Sequence, residues 1–216
     1  FSSSTFSSGV AGAVEVTAKN IDITGSRSRI DAVAGEGSSG QTGTVSLRAS
    51  DSIALSNGAQ VLTSNSASLS GTARPASTLL SLAAPRITLA GNAWVSSVST
   101  GNLASSDIDI LFADSLQLSS SRITTSANDG NGGRIRILGG SAVSLNQSRI
   151  NTSVVGTSGN GGDILINADA MALNSGFIQA NTSASLASGG RVSVNVRTLA
   201  ASGNTALAWR VRWQAL

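Results

Sequence analysis

Apolar residues recur along this chain as spaced pairs, apolar-x-apolar, and not at the three- and four-residue intervals of a helical face. The first set comprises Val14/Val16, Val45/Leu47, Leu80/Leu82, Ile108/Ile110, Ile135/Ile137, Ile164/Ile166 and Val192/Val194. Its members are separated by steps of 31, 35, 28, 27, 29 and 28 residues. Seven or eight residues later comes a second pair: Ile21/Ile23, Ile53/Leu55, Ile87/Leu89, Leu116/Leu118, Val143/Leu145 and Met171/Leu173, with Leu199 and Ala201 in a degenerate seventh copy. A third apolar position falls 14 to 16 residues after the first, at Ile30, Val61, Val95, Ile123, Ile150 and Ile178, with Leu207 as its last counterpart.

Alternation with period two predicts strands that bury one face. Three such strands in fixed order, repeated at 27–35 residues, predict three strands per turn of a coil. Each strand then pairs in parallel with its counterpart one coil away, at about 4.8 Å. The expected fold is all-β, a right-handed parallel β-helix (β-solenoid) of about seven coils and about 34 Å tall. A sandwich or propeller would need hairpin turns between equal strands, and such turn signals are sparse. The repeat region is expected to occupy 1–205, with 206–216 as a C-terminal tail. In that tail Trp209, Val211 and Trp213 alternate with Arg210 and Arg212, a pattern suited to capping an open solenoid end.

Polar, Gly-rich stretches close the coils: GEGSSGQTG at 35–43, NDGNGG at 128–133, GTSGNGG at 156–162 and SGG at 188–190. Gly and Asn there are expected to supply left-handed or tight backbone between strands. The longest connection, about 64–77, contains Pro75 and is expected to leave the coil as a surface loop, where recognition is often carried.

Composition agrees with a ladder-built core. Only seven of the 216 residues are aromatic, few for a compact globular core, whereas stacked aliphatic columns need few rings. The thirteen Arg and one Lys outnumber eleven acids by only three, and they are scattered with few aromatic partners, so no nucleic-acid partner is expected. No run of about 18 apolar residues is present, so no transmembrane segment is expected. The N-terminus lacks the basic and apolar regions of a signal peptide, which predicts a longer precursor or a signal already removed.

The clearest coils, GGRIRILGGSAVSLNQSRINTS at 132–153 and GGDILINADAMALNSGFIQANTS at 161–183, resemble the repeats of filamentous-haemagglutinin-like exoproteins of the two-partner secretion pathway. The resemblance spans roughly residues 9 to 205. It implies a secreted or bacterial cell-surface β-helix, an adhesin-like shaft with host or environmental glycans or cell-surface proteins as partners. An outer-membrane transporter is implied by the resemblance alone. The secretion domain of that family, with its NPNG-type motifs, is not in this sequence.

Candidate chemistry is limited by residue type. Without His, Cys or Tyr, the usual triads, imidazole bases and zinc ligands are excluded, and no catalytic, cofactor or metal site is assigned. GEGSSG at 35–40 matches a phosphate-loop pattern, but a strand follows it where that chemistry needs a helix. SGNGGDILI at 158–166 approaches a calcium nonapeptide yet occurs once, with Ile164 and Ile166 expected inward. Asp107 and Asp109, two apart and outward, form the one carboxylate pair with a glycosidase-like spacing. Arg134, Asp163 and Arg191 on the following coils suggest instead a solvated charge ladder from Asp107. Thr63, Thr125 and Thr152 share phase with inward residues, which argues against an ice-binding rank; Thr124 is outward. Sequons at Asn146, Asn151 and Asn181 are common in so Asn- and Ser-rich a chain. The expected function is structural and interactive, without catalysis. The alternatives are a polysaccharide lyase or hydrolase on a β-helix, and a carbohydrate-binding solenoid, which would need an outward aromatic or Thr rank.

Overall fold

A computed structural model describes residues 1–69, 76–184, 187–204 and 206–207. A leading strand, β1 (Ser2–Thr5), precedes the first coil. That coil comprises β2 (Val14–Thr24) and β3 (Arg29–Ala34), and the second comprises β4 (Val45–Ser56) and β5 (Gln60–Asn65). The third coil has β6 (Leu79–Ala83), β7 (Arg86–Ala90) and β8 (Trp94–Ser99). The fourth has β9 (Asp107–Phe112), β10 (Ser115–Ser119) and β11 (Arg122–Ala127). The fifth has β12 (Ile135–Gly139), β13 (Ala142–Asn146) and β14 (Arg149–Val154). The sixth has β15 (Ile164–Asn174) and β16 (Phe177–Thr182), and the seventh β17 (Val192–Ser202) and β18 (Ala206–Leu207).

The chain is a parallel β-solenoid of about seven coils. Third strands stack as one eight-stranded sheet, β1-β3-β5-β8-β11-β14-β16-β18, and the remaining strands form a ten-stranded sheet bent around the other two sides. Among the described residues no helix is long and apolar enough to cross a membrane.

The apolar columns pair in the expected register. Ile108, Ile135, Ile164 and Val192 are successive Cα partners and between 0 and 2% exposed. The second column runs Ile53, Ile87, Leu116, Val143, Met171 and Leu199, and the third ends with Leu207 paired to Ile178. Residues 208–216, with the cap expected around Trp209 and Trp213, lie outside the described residues.

Three details depart from the expectation. First, among the described residues only coils three to five contain three separate strands. In the other four, a single strand of 11 or 12 residues runs through the corner between the first two sides. The breaks coincide with Pro85, which has no N–H for the ladder, and with Gly139/Gly140; the corner of coil four lies between these two. Second, β1 adds a strand below the first coil, with Ser2 paired to Asp31 and Thr5 to Ala34. Third, the start of the 64–77 connection stays on the coil. Asn65 ends β5, Ala67 is fully buried, and Leu69 exchanges backbone hydrogen bonds with the Asn102 amide at 2.9 Å. Residues 70–75, including Pro75, lie outside the described residues.

The glycines of the closing stretches serve mainly to let coils approach. A Cβ on Gly162 would lie 2.0 Å from the Gly133 carbonyl oxygen, and one on Gly190 would lie 1.9 Å from that of Gly162. Gly37 and Gly159 in those stretches do have the expected left-handed backbone, but it is concentrated at another corner, just before the third strand. Asn57, Asn92, Ser120, Gln147 and Ser175, in five consecutive coils, have φ between 49° and 65°. Four of these corner residues donate a backbone N–H to a carbonyl of the next coil, Ser120 to Asn146 and Gln147 to Asn174 among them, which offsets the strain of non-Gly residues there.

Inside the coil, Thr63, Ser97, Thr125 and Thr152 form a buried hydroxyl column, so the inward phase expected for the three threonines holds. Thr125 and Thr152 donate across the interior to the carbonyls of Gly133 and Gly162, at 2.7 and 2.6 Å. These bonds tie the third strand to the glycine stack. The Thr63 and Ser97 hydroxyls have no such partner.

Candidate functional site

Asp107 and Asp109 lie on β9, and their ion-pair partners lie on the next coil, Arg134 just before β12 and Arg136 within it. Asp107 accepts the backbone N–H of Arg134 at 2.8 Å and its guanidinium at 2.9 and 3.3 Å. Asp109 takes both arms of the Arg136 guanidinium, with Nε at 2.8 Å from Oδ1 and Nη2 on Oδ2. The expectation of a solvated carboxylate is corrected for Asp109, which is only 7% exposed. Arg136 covers it, and the side-chain hydrogen bond and charge of Asp109 hold the guanidinium pKa above its ordinary value.

The continuous charge ladder is also corrected. Asp163 accepts the Arg191 backbone N–H at 2.7 Å, repeating the bond from Arg134 to Asp107. Among the described residues, however, no side-chain pair joins Arg134 to Asp163 or Asp163 to Arg191. Strand pleating therefore uses these aspartates to cap backbone donors of the next coil, and the guanidiniums pair in only part of the row.

A polar cleft of about 560 Å³ lies along the closing stretches, with Asp107, Asn131, Arg134 and Asp129 on its walls. Asp129 accepts the Thr157 backbone N–H at 2.7 Å and its hydroxyl at 2.9 Å. Those bonds, the backbone one foremost, hold its carboxyl below the usual range. Both carboxylates in the cleft thus accept hydrogen bonds from backbone and side-chain donors of the next coil.

GEGSSG at 35–40 leads into β4, so the helix a phosphate cradle requires does not follow. In SGNGGDILI, Ile164 and Ile166 are buried and Leu165 faces out, the phase that opposes the calcium pattern. Among the described residues no group of three or more acids suited to a metal is present. Asn146 and Asn181 are exposed and Asn151 half-buried.

The eight-stranded sheet carries a feature that sequence reasoning missed. One outward row runs Gln60, Trp94, Arg122, Arg149, Phe177 on successive coils. The Arg122 guanidinium carbon lies 4.0 Å from the Trp94 ring centroid, and that of Arg149 lies 6.0 Å from the Phe177 ring centroid. Two adjacent cations are therefore bracketed by aromatic rings. The signal was present one residue before the third apolar column, at the positions preceding Val95, Ile123, Ile150 and Ile178. Arg with few aromatic partners was the expectation; stacking of the coils supplies those partners.

Compared against models of known families, curated proteins and solved structures, the chain finds no match.

Proposed function

We propose that this chain is a structural and interaction segment, the shaft of an exported adhesin-like filament, and that it does not catalyse a reaction. The observation that carries the reading is the stack of coils in parallel register, with one irregularity between Ala18 and Asn20 in the first coil. Apolar columns, glycine contacts and cross-coil hydrogen bonds repeat from coil to coil, so a rod of this kind lengthens by repetition while its outward residues vary. The similarity of 132–153 and 161–183 to filamentous-haemagglutinin-like repeats supports secretion or display at a bacterial surface. Each coil templates the next, so assembly after export needs no energy source beyond folding itself.

The charged groups support the same reading. Asp107 and Asp109 are engaged by Arg134 and Arg136, and Asp129 by Thr157. The test is a panel of polysaccharides assayed for new reducing ends and for unsaturated products. The expected result is no turnover. Turnover abolished by Asp107→Asn or Asp109→Asn would replace the shaft with a carbohydrate-active enzyme.

A further inference from the structure

We infer that the outward face of the eight-stranded sheet binds an acidic polysaccharide, a polyuronate, through the paired guanidiniums of Arg122 and Arg149. The inference rests on reading the chain as an interaction segment. Arg122 and Arg149 are Cα partners on adjacent strands β11 and β14, so their backbones are about 4.8 Å apart. Trp94 on one side and Phe177 on the other fix the outer flanks of the pair. Among the described residues neither guanidinium has a carboxylate partner, a condition shared by Arg48, whereas Arg29, Arg86, Arg134, Arg136 and Arg197 each have at least one. Two unneutralised like charges held side by side repel each other, and an anion bridging them relieves that repulsion. Burial, and then the neighbouring Arg149, lower the Arg122 pKa, which agrees with an incomplete electrostatic environment.

The surroundings specify the rest of the ligand. On one side a cleft of about 360 Å³ is lined by Asn92, Ser120, Ser121 and Gln147 with the two arginines. On the other, Thr124 and Asn151 face out from the same strands, two residues along. Amides and hydroxyls flanking a cationic pair match sugar hydroxyls flanking a carboxylate. The planar guanidinium fork of each arginine suits a planar carboxylate. A single-stranded nucleic acid would need open ring faces for its bases, but Arg122 already lies against the Trp94 ring, and Arg149 is the neighbour of Phe177.

The experiment is titration of the full chain with polygalacturonate, its fully methyl-esterified form, dextran sulfate and oligo-deoxythymidylate. It is repeated on Arg122→Gln/Arg149→Gln and on Arg48→Gln/Arg197→Gln, which removes two charges from the other sheet. Circular dichroism verifies that each variant folds. The expected result is salt-sensitive binding of polygalacturonate, weakened at least about tenfold in the first variant and retained in the second. The methyl ester should not bind. No binding of polygalacturonate, or equal loss in both variants, overturns the inference. Tighter binding of dextran sulfate overturns the carboxylate assignment, and tighter binding of the oligonucleotide overturns the glycan. Reducing ends released during the titration would sink the shaft reading instead, and leave the surface in place.

Discussion

Adding one methyl group at Gly162 probes how closely the coils are stacked. An alanine Cβ there would lie 2.0 Å from the Gly133 carbonyl oxygen and 2.8 Å from that of Gly132. Ordinary Cβ contacts begin beyond 3.0 Å, so coils five and six must part locally by about 1 Å. Two bonds sit in the path of that movement: Thr152 Oγ1 to the Gly162 carbonyl at 2.6 Å, and Ile135 N–H to the Asp163 carbonyl at 2.9 Å. Overpacking costs about 1–3 kcal/mol, and the weakened bonds add about 1 kcal/mol each. The smaller unfolded-state entropy of alanine returns about 0.4–1 kcal/mol. The net expectation for Gly162→Ala is a loss of about 2–5 kcal/mol. Gly189→Ala is the control in the same chain, because its Cβ would meet nothing nearer than 3.8 Å. Urea unfolding followed by far-UV circular dichroism reads both variants. A Gly162→Ala midpoint equal to that of Gly189→Ala would refute the close-stacking argument.

Other perturbations separate parts that look alike. Thr152→Val removes a satisfied buried donor and should cost about 1–2 kcal/mol, whereas Thr63→Val removes a hydroxyl with no partner and should be neutral or stabilising; denaturant midpoints in the reverse order would contradict the hydrogen bonding. Ile135→Ala, at the fully buried centre of the first column, should cost about 2–5 kcal/mol by the same assay. Asp129 has a depressed carboxyl pKa, so its stabilisation is present above the ordinary value and lost as pH falls through the lower folded value. Thermal melts between about pH 4 and pH 2 should therefore fall more steeply for the native chain than for Asp129→Asn, and parallel slopes would count against the Thr157 bonds.

The columns were legible because period-two alternation fixes which side of a strand is inward, and the 27–35-residue steps fix which residues are neighbours. That logic reaches Ile108, Ile135, Ile164 and Val192 without any structure. It does not reach β1, whose SSST carries no apolar pair and is placed by backbone pairing alone. Nor does it reveal what covers an outward group. Asp109 points out, as alternation requires, yet the long side chain of Arg136 folds over it. The Gly-rich stretches were recognised as coil closures, but their physical role is close backbone contact, a distance between coils that no single stretch contains. Trp94, Arg122, Arg149 and Phe177 were readable in principle from the apolar register moved back by one residue. They were missed because isolated Arg and aromatic residues, 27 or 28 residues apart, look scattered until the coils are stacked.

The claim that this solenoid is the shaft of an exported filament is tested most directly on the cells that make it. Antibodies raised against the full chain are applied to intact cells, to permeabilised cells and to the culture supernatant. An exported shaft labels on intact cells or is recovered from the supernatant, with little gain on permeabilisation. Labelling only after permeabilisation, with none in the supernatant, would contradict the claim.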